Sequence, residues 1–398
     1  MLRFILEETM VGPESFSSRE ALHTAADADT NTAQPPSLRL GPPSPGDPNW
    51  VFFGGQGLRA GWSIVVFGFL LLLLSPICGT ILSVLVYDVG HLTVGARSPL
   101  STILGEGQWI AALLLAGLIV SRLERRHLSD YNLAGPGRGT HFIAGLAAGF
   151  VAVSILVLTL SRGGWMQLGP TTLGGGQILK YALLWAVGFA LVGLFEEGAF
   201  RCYLLYTFTR GLNFWWALAS VAPLCLYLRF ASGGHGAWGI YFASLAGLLP
   251  CLWLHLSKAP GSGFWQAAWV TSVGFGFIHT FNSGENWIGV LAASGIGLVL
   301  CVSVRLTGSA WWAIGCHASW DWAESYFYGT ADSGFAARGH LLTSTPVGSP
   351  LWSGGADGPE GSVLVFPVML LLLAALLIMY RRPGSLVVKQ RSRAPVAG

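Results

Sequence analysis

Long apolar runs separated by short polar connections fill most of the chain after residue 60. A helix needs about 20 mainly apolar residues to cross the hydrocarbon core of a bilayer. This criterion predicts about ten spans, at residues 61–87, 108–123, 141–160, 178–208, 214–231, 238–256, 264–281, 287–304, 310–328 and 363–380. The alternating ten-residue strands of an outer-membrane barrel are not seen. The pattern therefore predicts an all-α, polytopic transmembrane helical bundle.

The composition agrees with a membrane protein. Of the 398 residues, 53% are hydrophobic and 10% are charged, against about 25% charged in a typical soluble domain. The net charge of +3 does not indicate nucleic acid, and no P-loop indicates a nucleotide, so neither is an expected partner. The lipid bilayer is an expected partner. The six cysteines lie in apolar segments without a C-x-x-C pair, and we expect free thiols.

Polar and apolar stretches also divide the chain. The first 60 residues are rich in Pro, Ser and Thr and predict a disordered tail. The Gly-, Ser- and Pro-rich segment before the last span is compatible with an ordered cap and equally with a solvated loop. The predicted units are a tail at 1–60, N-terminal spans at 61–177, a membrane core at 178–328 with an inserted hairpin at about 213–257, a loop at 329–362, and the last span with a basic tail at 363–398.

Basic residues in the connections predict the orientation, because cytoplasmic loops carry an excess of Lys and Arg. The loop after the second span and the C-terminal tail hold most of them: Arg122, Arg125, Arg126, Arg138, Arg381, Arg382, Lys389, Arg391 and Arg393. On the opposite side, the loop at 88–107 holds only Arg97 and the loop at 329–361 holds only Arg338. We therefore expect both termini in the cytoplasm and the 329–362 loop outside. The Gly- and Ala-rich composition favours a bacterial inner membrane.

Three charges interrupt the fourth apolar run: Glu196, Glu197 and Arg201. Acids inside a membrane are costly and are usually functional. Glu197 and Arg201 are four residues apart and can pair on one helix face, whereas Glu196 points about 100° away. An interfacial charge cluster at the end of the span is the structural alternative.

Two further spans carry polar groups. Phe275 and His279 end the seventh span, with Asn282 just beyond, and such a histidine alone is often only an interfacial residue. His317, Asp321 and Glu324 have spacings that place them on one face of the ninth span. A histidine and two acids on one intramembrane helix indicate a cavity, a metal or mutual pairing.

Glu196, His279, His317 and Asp321 lie on three helices that can converge, and this set suits the activation of water. A carboxylate in a low dielectric can act as a general base, a histidine can orient the water, and the second polar pair can stabilise an oxyanion. The same four residues are adequate Zn²⁺ ligands, so a zinc enzyme is an alternative. A transporter or immunity-type protein with a polar intramembrane cavity is a non-enzymatic alternative.

The motifs E-E-x-x-x-R, F-x-x-x-H and H-x-x-x-N/D, in this order on apolar helices, resemble those of the CPBP family. This family comprises the CAAX-protease and bacteriocin-processing (Abi-type) intramembrane endopeptidases. The resemblance covers residues 178–328. It implies a metal-independent glutamate protease that cuts a membrane-associated protein or peptide. Glu196 would be the base and His279 its partner on the water; His317 and Asp321 would line the oxyanion site, and Glu197 with Arg201 would hold the helix.

The sequence departs from the family in two ways. Asp321 stands where the better-studied members have Asn, and an ionised Asp only accepts hydrogen bonds. Asp321 must therefore either be protonated or orient and charge His317 and leave the histidine as the only donor, and we expect the second. Two apparent extra spans separate the first and second motifs. Because their number is even, the orientation of the later spans is preserved. A prenylated CAAX substrate is expected only in a eukaryote.

Overall fold

The computed structural model describes residues 47–54, 57–91, 94–211, 214–215, 217–218 and 247–380. The longer helices, numbered in chain order, are α1 Ala60–Ser83, α2 Pro99–Leu123, α3 Arg138–Arg162, α4 Gly176–Glu197, α5 Leu205–Gly211, α6 Leu249–Ser257, α7 Ser262–His279, α8 Trp287–Thr307, α9 Trp311–Asp321, α10 Pro350–Ser353 and α11 Val365–Met379. Three 3₁₀ turns lie at Pro48–Val51, Leu128–Asp130 and Pro359–Gly361. The strands are β1 Phe53–Gly54, β2 Gly57–Leu58, β3 Met166–Thr171, β4 Ala331–Asp332, β5 Phe335–Ala336 and β6 Leu342–Pro346.

The helices confirm the all-α, membrane-helical fold class. Five of the described helical segments are long and apolar enough to cross a membrane: Ala60–Val89, Pro99–Leu123, Arg138–Arg162, Gly176–Gly211 and Trp287–Thr307. Most of the predicted hairpin at 213–257 and the first 46 residues of the predicted tail lie outside the described residues. The total of ten spans therefore stays a prediction.

The second span is longer than its hydropathy predicts. Ser98 caps the helix by accepting a hydrogen bond from the Ser101 amide at 3.2 Å, and Pro99 occupies the first helical position. These are the residue types preferred at a helix start. As a result α2 begins nine residues before the predicted span, and Glu106 lies on a helix instead of in a loop.

Two helices change their winding next to the polar motifs. A π-helical turn at Gly198–Leu204 joins α4 to α5 directly after Glu197, and a second one at Trp322–Tyr328 extends α9 directly after Asp321. A π turn bonds each residue one position further along than an α turn, and it is frequent at functional sites. Residues beyond Asp321 are therefore rotated away from the face that α-helical spacing predicts.

Glycines fix the position of α9 between α3 and α4. A Cβ at Gly145 would overlap the Trp312 carbonyl oxygen, and a Cβ at Gly149 would overlap that of Cys316. On the other side, a Cβ at Gly193 would lie 3.1 Å from the Ile314 carbonyl oxygen. Small residues allow this close approach of helix backbones in membranes. They place α9, which carries His317, in the centre of the bundle.

The segment after the ninth span is an ordered cap. Strand β6 pairs antiparallel with β3, with Met166 opposite Pro346, and β4 and β5 form a small hairpin. The cap is also tied to the helices, because the Trp185 indole donates to the Arg338 carbonyl at 3.1 Å. We call residues 329–361 the cap.

A buried carboxylate joins three elements at the other end of the bundle. Glu124 accepts a hydrogen bond from Ser63 and one from the Tyr131 hydroxyl at 2.9 Å, and it pairs with Arg210 at 3.0 Å. Burial and the Glu124 charge raise the pKa of Tyr131 above its usual range. The loop after α2 thus meets the end of α5, as expected for connections on one side of the membrane.

Candidate active site

A cavity of about 570 Å³ lies between the helical bundle and the cap. Glu196, His279, His317 and Asp321, the four residues that the sequence singles out for catalysis, all line it. They come from α4, α7 and α9, so the tertiary structure brings the three motifs together. Phe275 and Asn282 also line this cavity.

Glu197 and Arg201 form a buried ion pair next to the site. Both side chains are inaccessible to solvent, and two contacts of 3.1 Å join the guanidinium to the two carboxylate oxygens. The Phe275 ring lies 4.3 Å from the Arg201 guanidinium carbon, and the Asn132 amide donates to the Arg201 carbonyl at 2.8 Å. Such a pair lowers the cost of two charges in a low dielectric.

His317 is the centre of the polar contacts. Its Nδ1 lies 2.7 Å from Glu197 Oε1, while its Nε2 lies 3.7 Å from Glu196 Oε2 and 3.5 Å from Asp321 Oδ2. The ionised Glu197 can only accept, so Nδ1 carries a hydrogen and donates it. Glu197 therefore contacts both Arg201 and His317, and the two acids of the E-E pair contact opposite nitrogens of one imidazole ring.

His279 is held differently. It is the last residue of α7, and its Nδ1 lies 2.8 Å from the Phe275 carbonyl oxygen. A carbonyl only accepts, so Nδ1 carries a hydrogen, and in the neutral form of the ring Nε2 is then an acceptor. The Phe275 ring packs against both histidines, with centroid distances of 4.7 Å to His279 and 6.1 Å to His317. Phe275 thus sets the spacing of the two rings.

The depth of the two histidines differs along the bundle, because His279 ends its helix while His317 lies near the middle of α9. The cavity reaches both histidines. It extends from His317 to Asn282 and Ser283 in the turn after α7, and the cap closes it from above with Ser333 and Phe335. Side chains at unequal depths can therefore act on one bound molecule.

The structure separates Glu324 from the other two polar residues of its span. The α-helical spacing predicts one shared face for His317, Asp321 and Glu324, and this prediction is wrong for Glu324. It lies in the π turn, is fully buried, and is not among the described residues that line the cavity. Its carboxylate lies beside Asp332 and Glu360 of the cap instead.

Four charged residues of the cavity wall are missed by sequence reasoning. Glu106 comes from α2, Arg97 from the segment just before it, and Asp332 and Glu360 from the cap. The helix-start signal at Ser98 and Pro99 is enough to find Glu106 on a helix. The two cap acids have no comparable signal, since they lie in polar sequence and only the fold brings them to the cavity.

Acids are concentrated where the cap meets the helices. Burial and the Glu360 charge raise the pKa of Asp332 to about 8. Burial and the nearby Asp357 carboxylate raise the pKa of Glu285 to about 8. Burial raises the pKa of Asp357 itself to about 7, against a hydrogen bond from the Asn286 amide. This region is therefore strongly negative when its groups are ionised.

The fold and the cavity define a class: an integral membrane protein with a glutamate, two histidines and an aspartate on the wall of one cavity. Residues 250–323 match the family model described as type II CAAX prenyl endopeptidase Rce1-like. The match covers less than half of the chain and supports the resemblance to CAAX proteases. It includes His279, His317 and Asp321, whereas Glu196 lies before it. Comparison with curated proteins and with solved structures found no significant match.

Proposed function

We propose that this membrane endopeptidase hydrolyses a peptide bond of a membrane-associated protein or peptide with water activated by Glu196 and His279, and without a metal. The observation that carries the proposal is the position of Glu196, His279 and His317 on the wall of one cavity. A cavity of about 570 Å³ has room for an extended peptide segment together with a water molecule.

Glu196 supplies the base. Its Oε2 is buried and has no hydrogen-bond partner among the described residues, so it is free to accept a proton from water. His279 supplies the second contact to the water. With Nδ1 donating to the Phe275 carbonyl, Nε2 is the free acceptor that orients the attacking molecule.

His317 supplies the donor for the oxyanion. Glu197 accepts from Nδ1 and so fixes the ring, which turns Nε2 toward Glu196 and Asp321. A protonated Nε2 in this position can donate to the negative oxygen of a tetrahedral intermediate. An ionised Asp321 only accepts hydrogen bonds, so its role is to stabilise the positive charge of His317. Glu197, which lies closer to the imidazole ring, contributes to the same stabilisation.

The substrate is a protein or peptide at the membrane, and its identity is a proposal of a class. The name of the matched family refers to prenylated CAAX substrates, which are expected only in a eukaryote, so at a bacterial membrane the proposed class is a membrane-associated protein or peptide without a prenyl group. Such a substrate would reach the cavity from the bilayer, since the site lies among membrane helices. We also propose a bacterial inner-membrane location with both termini in the cytoplasm.

The central test replaces the base while keeping its shape. We expect Glu196→Gln to abolish cleavage, a loss of at least 10³-fold, while leaving membrane insertion and thermal unfolding unchanged, because Gln cannot accept the proton. The readout is cleavage, by protein in lipid nanodiscs, of a membrane substrate first identified in cells. In cells, comparison of wild-type and Glu196→Gln membrane proteomes should reveal a precursor that accumulates.

The matched control is Glu285→Gln, which makes the same chemical change outside the described cavity wall and should retain cleavage. Full activity of Glu196→Gln on a substrate that the wild type cuts would refute the proposed base. Loss of activity in Glu285→Gln as well would mean that any lost acid disables the protein.

Zinc at Glu196, His279, His317 and Asp321 is the second candidate. Among the described residues, one group of three potential metal ligands has its ligand atoms within 4.8 Å of one another, and it consists of Glu324, Asp332 and Glu360. The four residues proposed here as zinc ligands are not part of that group. The hydrogen bond of His317 Nδ1 to Glu197 also resembles the second contact of a zinc-bound histidine. Metal analysis decides: activity lost with a chelator and restored by Zn²⁺ would support the zinc enzyme.

A further inference from the structure

Three carboxylates at the junction of the cap and the ninth span are close enough to share one ion. An oxygen from each of Glu324, Asp332 and Glu360 lies within 4.8 Å of the other two. Glu324 comes from the π turn that follows Asp321, Asp332 from β4, and Glu360 from the 3₁₀ turn before α11. Three separate segments thus meet at this point.

Glu324 gives an independent indication of a ligand. Its side chain has no solvent exposure, and neither carboxylate oxygen has a hydrogen-bond partner among the described residues. No described Lys, Arg or His forms an ion pair with any of the three acids. A buried charge without a partner is costly, and such groups are normally paired or bind metals. This carboxylate lies beside the two cap acids. Without a cation, repulsion between the ionised carboxylates would add to the free-energy cost of burying Glu324.

The other two carboxylates are held ready by hydroxyl groups. Ser325 donates to Asp332 Oδ2 at 3.1 Å, and Ser333 donates to Glu360 Oε2 at 2.9 Å. Each acid keeps its second oxygen for another contact. Hydrogen bonds of this kind orient the ligands in metal sites.

We propose that Glu324, Asp332 and Glu360 bind a Ca²⁺ ion that fastens the cap to the helix carrying His317 and Asp321. Carboxylate oxygens are the ligands of hard divalent cations, and Ca²⁺ binds them at about 2.3–2.6 Å. Two oxygens on opposite sides of Ca²⁺ are therefore at most about 5 Å apart, which the observed separation satisfies. Mg²⁺ needs shorter contacts in a near-ideal octahedron and usually keeps several waters beside one or two carboxylates, so a site of three protein carboxylates suits it less well.

The ion has a consequence for the cavity. Asp332 and Glu360 are also part of the cavity wall, so a cation between them and Glu324 holds that wall in place. It neutralises part of the negative charge near the chamber. This inference does not depend on the peptidase mechanism, because it concerns a second site with its own residues.

The test measures Ca²⁺ binding to the full-length protein in lipid nanodiscs after treatment with a chelator. Isothermal titration with CaCl₂ should show one saturable site, and hydrogen exchange of the cap should slow when Ca²⁺ is added. Asp332→Asn and Glu360→Gln should each weaken Ca²⁺ binding at least about tenfold. Glu106→Gln, the same change on another wall of the cavity, should leave the affinity unchanged.

Glu324→Gln gives a readout that survives a folding defect in the other variants. Without Ca²⁺ it should melt at a higher temperature than the wild type, because a buried unpaired charge is removed, and it should lose the rise in melting temperature that Ca²⁺ causes. Absence of saturable Ca²⁺ binding to the wild type would overturn the proposal, and so would equal Ca²⁺ affinity in all the variants. A larger stabilisation by Mg²⁺ at equal concentration would overturn the assignment of the ion.

Discussion

Glu197 does more in the structure than its position beside Glu196 indicates. The spacing to Arg201 predicts an ion pair, and that pair is present at 3.1 Å. The contact of 2.7 Å to His317 joins the pair to the proposed catalytic residues. One carboxylate therefore balances a buried guanidinium and orients an imidazole ring, and these two effects can be separated by mutation.

We predict that Glu197→Gln destabilises the protein by about 3–5 kcal/mol, because Arg201 is left buried without a counter-charge. The double variant Glu197→Gln with Arg201→Met should recover most of this stability but not the activity, since His317 still lacks its carboxylate acceptor. Thermal unfolding and kcat are measured separately. Recovery of both properties in the double variant would show that Glu197 acts only by balancing Arg201.

The charges outside the membrane spans predict how stability depends on pH. In the folded protein the pKa of Glu285 is raised to about 8 from an ordinary 4.5 by burial and by Asp357. The folded state then binds the proton more tightly than the unfolded state. Stability is greatest below pH 4.5 on account of this group and falls as the pH rises toward 8.

With a chelator present, the melting temperature should therefore decrease between pH 5 and pH 8, and Glu285→Gln should flatten the decrease. Melting curves of wild type and variant at four pH values measure both slopes. Identical slopes would show that Glu285 does not contribute.

Among the elements, α9 is packed closely on two sides. Backbone contacts at Gly145 and Gly149 hold one side and Gly193 the other, so the position of His317 depends on residues that take no part in the chemistry. This arrangement explains how a short helix carries a precise site. In a packed interior an added methyl group is not absorbed without movement.

We predict that Gly145→Ala costs about 1–3 kcal/mol of stability through overpacking against the Trp312 carbonyl and lowers kcat by displacing α9. The matched control is Gly139→Ala on the same helix, where a Cβ meets nothing within 4 Å. That control should be neutral or stabilising by up to about 1 kcal/mol. Equal behaviour of the two variants would contradict the proposed role of close packing.

The whole molecule has two polar ends. At one end Glu124 joins α1, α2 and α5, and at the other the cap covers the cavity. The excess of basic residues around Glu124 predicts that this end is cytoplasmic. Two exposed positions allow a direct test, Ser129 near Glu124 and Val347 in the cap.

A membrane-impermeant maleimide should label Val347→Cys in intact spheroplasts. It should label Ser129→Cys only after the membrane is permeabilised. The parent chain for these variants carries Cys78→Ser and Cys225→Ser and serves as the control, since Cys78 is only half-buried and Cys202, Cys251, Cys301 and Cys316 are buried. The reverse labelling pattern would invert the predicted topology.

What the sequence determined by itself is the membrane class, the course of the main helices and the four residues of the three motifs that meet in the cavity. Hydropathy and the i, i+4 spacings are local properties, and the cost of charge in a bilayer makes the few polar positions conspicuous. The tertiary structure decided the rest. It turned Glu197 toward His317, moved Glu324 away through a π turn, and brought Asp332 and Glu360 over the cavity. These outcomes depend on helix winding and on contacts between distant segments, which no local pattern encodes.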